Sequence, residues 1–177
     1  MNKEHKTEMY PYAYVYRGTR TILIWQTNDC DTFKLNSDDS LLQTSTLSTL
    51  KKKMGPAAIK VHWTEYAEIN FDKFFTALKN LRTERSSASK TCFILLEGWN
   101  FIEDMIFTFD LRNELKKLRS RVLNKAHDKL FYGCNLPSVT PEGKSYNPIW
   151  TKEEVAAMRS ALRAVWTTFR RKGYIQP

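Results

Sequence analysis

The chain has 177 residues, enough for one domain, or one with an appendage, and for burial of most of the surface its unfolded form would expose. Its aromatic fraction of 13% excludes a disordered chain, and its net charge of +9 directs attention to anionic partners, phosphates first. No run approaches the roughly 20 apolar residues of a membrane span, and the opening MNKEHKTEM lacks the apolar core of a secretory signal, so a soluble, cytoplasmic protein is expected.

Residues 10–16, YPYAYVY, place Tyr10, Tyr12, Tyr14 and Tyr16 on one face of a strand. Arg17 to Arg20 forms a turn, a second strand spans Thr21 to Gln26, and Asn28, Asp29 and Asp31 turn the chain into a short strand, Thr32 to Leu35. A tyrosine-lined sheet face serves either as a core or interface face or as a base-stacking platform. Leu47, Leu50 and Met54 predict a crossover helix stopped by Gly55-Pro56. The alternation in Ala57 to Trp63 then predicts a fourth strand, with His62 pointing away from the core.

Asn70 is a fitting N-cap for a helix that buries Phe71, Phe74, Phe75, Leu78 and Leu81. Arg82 to Lys90 is a polar linker. From Thr91 to Phe109 the apolar spacing is helical, with a strand over Thr91 to Leu96 as the alternative. Leu111 to Lys129 predicts a second amphipathic helix, decorated with seven cations that include Lys117 and Arg121. Such a face is solvated or steers an acidic protein partner; the other use is to contact phosphates. Residues 1–85 carry 13 basic and 10 acidic side chains, so the positive excess lies mostly beyond them.

His127 to Trp150 is too rich in Pro, Gly and Asn for a regular element, and its apolar residues predict an ordered, partly buried loop. Gly133 ends the preceding helix, Pro137 prevents its resumption, and Thr140-Pro141-Glu142-Gly143 fits a turn. Thr151 and Glu154 form a capping box for a last helix running to about Arg171, with Trp150 stapled on Val155. The expected architecture is α+β: an N-terminal antiparallel sheet of about four strands with a crossover helix, packed against C-terminal helices. A single domain, 1–177, divides into a sheet-rich half, 1–85, and a helical half, 86–177.

Cys30, Cys92 and Cys134 are widely spaced, with no C-x-x-C pair and no histidine at zinc-ligand spacing, which suits three buried thiols in a reducing compartment. Neither His62 nor His127 has a nucleophile or metal partner visible in the sequence, and there is no Gly-rich phosphate loop, so neither enzyme chemistry nor a cofactor is expected.

Trp99-Asn100 with Asp104, then Asp128-Lys129-Leu130-Phe131, Gly133, Asn135-Leu136-Pro137, Thr140, Tyr146, Pro148 and Trp150 form a pattern. In these residues, and in its N-terminal element order, the chain resembles immunity proteins encoded beside bacterial contact-dependent growth inhibition and related polymorphic toxins. The resemblance implies a non-enzymatic protein that binds one cognate toxin domain and blocks it by steric occlusion. Tyr132, Asn135, Lys144, Tyr146 and Asn147 on the loop, with Lys117 and Arg121, are the candidate partner-binding residues, whereas Phe131, Leu136 and Trp150 are assigned to the core. A net charge of +9 suits a toxin with an acidic patch, or binding away from any basic cleft. The alternative function is single-stranded nucleic-acid binding through the basic helix and the tyrosine face.

Overall fold

A computed structural model describes residues 7–27 and 30–176. Strands β1 (Glu8–Tyr16), β2 (Thr19–Thr27), β3 (Thr32–Phe33) and β4 (Ala67–Asn70) form one sheet in the order β3-β2-β1-β4. The turn between β1 and β2 uses left-handed conformations at Arg17 and Gly18, and their amides donate to the Asp72 carboxylate at 2.8 and 2.9 Å. The α+β class stands, with helix α1 (Leu47–Met54) in the crossover and helices α2 (Phe71–Asn80), α3 (Ser89–Thr108), α4 (Arg112–Leu118), α5 (Arg121–Gly133) and α6 (Lys152–Arg171) around the sheet.

The sheet is mixed rather than wholly antiparallel, because β4 runs parallel to β1, with Tyr14 opposite Ile69. The strand expected over Ala57 to Trp63 is instead a 3-10 helix, Gly55–Lys60, followed by a single bridge from Val61 to Met9. Pro56 opens that helix with its fixed φ, and the alternating apolar pattern there is incidental, since Ile59 is 90% exposed. His62 faces solvent, as expected.

Both faces of the sheet are covered. Tyr14, Tyr16 and Leu23 join the main core, built with Phe71 and Phe74 from α2, Trp99 and Phe101 from α3, and Trp166 and Phe169 from α6. Met9, Ala13, Ile22 and Ile24 pack on the opposite side with Leu50 and Met54 of α1. The tyrosine face is therefore chiefly a core face, and Tyr14 and Tyr16 are closed to stacking bases.

Asn70 caps α2 by accepting the Lys73 amide at 2.9 Å, and Arg159 of α6 donates to the carbonyls of Leu78, Lys79 and Leu81 at the other end. Residues 91–96 are helical within α3, against the strand alternative. That helix passes close to α2 at Gly98, where an added Cβ would stand 2.2 Å from the Phe74 ring.

The helix expected over Leu111 to Lys129 is two helices. Ser120 breaks it by taking extended backbone and accepting the Leu123 amide at 3.2 Å, a cap that starts α5 afresh. Helix α5 then continues to Gly133, so the irregular segment begins at Cys134, seven residues later than His127. Gly133 allows close approach, since a Cβ there would stand 2.6 Å from Cys92 Sγ. Cys92 is buried and Cys134 half-buried, but Cys30 is exposed, contrary to expectation.

Candidate functional site

The loop from Cys134 to Ile149 is fixed by one side chain. Asn135, in the left-handed region at φ 52°, donates to Ser89 Oγ at 2.6 Å and to the carbonyls of Gly133 and Tyr146, both at 3.0 Å, and accepts the Tyr146 amide at 2.6 Å. The turn at its crest closes from Lys144 N to Pro141 O, 3.1 Å, with Gly143 in third place at φ 72°, one residue later than the sequence suggests.

The loop's exit is clamped by the polar linker. Glu84 N donates to Trp150 O and Ser87 N to Pro148 O, both at 3.0 Å, and the buried Trp150 indole donates to Ser87 Oγ at 2.7 Å. Thr151 and Glu154 make the expected capping box, and Trp150 and Val155 are both buried in the main core. Lys129 reaches across from α5 to the buried Glu154 carboxylate at 2.7 Å and to Ile149 O at 2.8 Å.

Of the residues expected to meet a partner, Tyr132, Lys144, Tyr146, Asn147, Lys117 and Arg121 are exposed, while Asn135 is half-buried and engaged as the clasp. Tyr132 sits on the last turn of α5 rather than in the loop. Lys117 is paired with Glu114 at 2.7 Å, and the break at Ser120 puts Lys117 and Arg121 on different helices. The loop exposes Val139 and Ile149 as well, whereas the sequence predicts it to be partly buried. Phe131 and Leu136 are half-buried.

The two internal histidines are engaged structurally. His62 stacks on Tyr10 with ring centroids 4.9 Å apart, and His127 lies edge-on to Trp99 at 5.2 Å, where burial lowers its pKa. Among the described residues no group of three or more His, Cys, Asp or Glu side chains is arranged to hold a metal ion, and no helix is long and apolar enough to cross a membrane.

A second surface lies at the end of the β1–β2 pair farthest from its turn. Tyr10 is directly opposite Trp25 in the strand register, and Trp25 stands 6.0 Å from the Tyr10 ring and 6.3 Å from the Tyr12 ring. With Tyr66 these rings line a groove of about 470 Å³ that has Glu8 and Glu65 at its rim and no lysine or arginine in its lining. Tyr10 donates to Glu8 at 2.6 Å, and that bond takes its pKa to about 12. From outside the lining, Arg20 lies over the Tyr66 ring at 5.0 Å and donates to its hydroxyl.

Helix α3, which carries Glu97 and Asp104, packs beside this groove through Phe101, whose ring lies 5.8 Å from that of Tyr12. Burial first, then these two carboxylates, raise the pKa of the Tyr12 hydroxyl. Asp104 is itself pushed up to about 8 by burial and by the charge of Asp31, opposed by the Trp25 indole N–H, which does not reach hydrogen-bond geometry. Burial likewise raises Glu97. The sequence carries a faint signal for this surface: α3 has three carboxylates and one lysine, Lys90, in a chain of net charge +9.

No family model, curated protein or solved structure matches the chain.

Proposed function

We propose that the protein is a cytoplasmic immunity protein that binds a cognate bacterial toxin domain and neutralises it by steric occlusion, without catalysis. The observation that carries this reading is the loop together with the helix turn that leads into it. Tyr132, Val139, Tyr146 and Ile149 are exposed large apolar side chains within one short stretch, and Asn135 and the Trp150 clamp hold that stretch in place. Apolar groups displayed on an ordered loop mark protein-binding surfaces, and a loop already fixed loses little entropy on docking. Aromatic side chains such as Tyr132 and Tyr146 are the usual anchors of such contacts. The resemblance of Asp128 to Trp150 to toxin immunity proteins supports the same reading.

Co-expression with a toxin domain encoded immediately beside this chain tests it. Growth is expected to be rescued, and the two proteins are expected to elute together as one complex. Separate elution, or unrelieved killing, overturns the reading.

A further inference from the structure

The immunity reading leaves open what chemistry the partner brings, and the distribution of charge speaks to it. The long helix α3 presents Ser89, Phe93, Glu97, Asn100 and Asp104 at spacings of three and four residues, which align along one helix face. Ser89 is tied to the loop through Asn135, Phe93 is 46% exposed, and toward the other end of α3 Phe101 packs 5.8 Å from Tyr12 while Thr108 accepts the amide of Phe33, the residue paired with Trp25. The strip thus joins the Cys134–Ile149 loop at one end to the Tyr10–Trp25 groove at the other.

The lining of the groove favours a cation. Tyr10, Tyr12 and Trp25 offer ring faces and edges side by side, and aromatic faces attract guanidinium and ammonium groups within about 6 Å. Glu8 and Glu65 line the groove and Glu97 forms no ion pair with any described residue, whereas Glu68 and Glu103 are taken by Arg20 and Arg119; Asp104, which holds its proton up to about pH 8, adds little charge at neutral pH. Arg20 over Tyr66 is a cation on an aromatic ring beside a carboxylate, drawn from this chain itself. The overall charge of +9 does not decide the matter, because exposed charges farther away than about 8 Å are largely screened at physiological salt. Local complementarity sets the docking.

Resting on the immunity reading, we infer that the α3 strip and the Tyr10–Trp25 groove dock a basic, arginine- or lysine-bearing segment of the toxin domain. The loop forms one end of that interface. The basic flank built on α4 and α5 lies outside it.

The full chain, labelled with ¹⁵N, is titrated with the peptide acetyl-Gly-Arg-Gly-Arg-Gly-Arg-amide and with its glutamate counterpart. The arginine peptide is expected to shift the Trp25 indole N–H and the amides of Tyr10, Tyr12 and Glu97, and the glutamate peptide to leave them in place. Glu65→Lys with Glu97→Lys is expected to weaken the arginine peptide at least tenfold. Glu65→Lys alone, at an exposed side chain, gives a several-fold loss if the double variant fails to fold. Shifts that map elsewhere, equal response to the glutamate peptide, the same shifts on adding a single-stranded oligonucleotide, or an unchanged Kd in the charge-reversed protein overturn the inference. Because no toxin enters this titration, loss of peptide binding with neutralisation intact removes the basic segment alone. Failed neutralisation with the peptide map intact removes the immunity reading alone.

Discussion

Asn135 holds Tyr146 by both of its main-chain polar groups, accepting the amide at 2.6 Å and donating to the carbonyl at 3.0 Å, so that one side chain closes an eleven-residue span. Asn135→Ala removes these bonds and those to Ser89 and Gly133, and places a non-glycine residue without a polar side chain at φ 52°. A loss of about 1 to 3 kcal/mol is expected in urea unfolding. Exchange of the Tyr146 amide should accelerate with it. Asn135→Gly, which relieves the backbone but not the bonding, separates the two contributions.

Trp150 is 1% exposed, and its indole is satisfied by Ser87. Trp150→Ala should lower stability by about 3 to 5 kcal/mol. Trp150→Phe keeps most of the buried area and strands the Ser87 hydroxyl, at a smaller cost of about 1 kcal/mol for that bond. An unchanged melting temperature in the alanine variant would contradict the burial described above.

Gly98 is fixed by its neighbour. A methyl group at Gly98 would overlap the Phe74 ring, which is fully buried and cannot swing away. Gly98→Ala should cost about 1 to 3 kcal/mol from overpacking. Adding Phe74→Leu should recover part of it, so that a double-mutant cycle shows coupling between the two positions.

Asp104 sets a pH dependence whose sign follows from its environment. Its pKa is about 8 in the folded protein against an ordinary value of 3.8, through burial and Asp31, with Glu103 adding and Trp25 opposing. Between these two values the folded state holds a proton that the unfolded state has released, so stability falls as pH rises across that window. The slope contributed by this one group is at most about 1.4 kcal/mol per pH unit. Below the lower value both states are protonated and the contribution vanishes. Asp104→Asn should flatten the decline and raise stability at pH 8. Denaturant curves at pH 5, 6.5 and 8 check this, and parallel decline in both proteins counts against it.

Elements whose signals are local were legible in the sequence. The capping box at Thr151 and Glu154 and the Asn70 cap with its phenylalanine stripe are written within a few residues and appear as read. Ala57 to Trp63 misleads because alternation over a few residues imitates a strand, whereas Pro56 and two alanines suit a helical turn. Strand β4 is hard to see because its four residues are strand only through parallel pairing with β1, a contact set by the fold. The break at Ser120 had a signal, a serine at capping position, but the continuous apolar spacing on either side concealed it. The irregular loop is legible from its Pro, Gly and Asn residues. The groove is not written locally, since it requires Tyr10 to stand opposite Trp25 across a hairpin and α3 to pack beside them through Phe101.

The strand order has one more consequence, for how a partner can attach. The tyrosine-bearing strand β1 lies inside the sheet, between β2 and β4, and the outer strands are Thr32–Phe33 and Ala67–Asn70. Such short borders offer few free main-chain donors and acceptors to an incoming strand, and they resist edge-to-edge association between copies. Recognition by this fold is thereby left to side chains, whose identity can diverge one position at a time while the backbone scaffold stays the same.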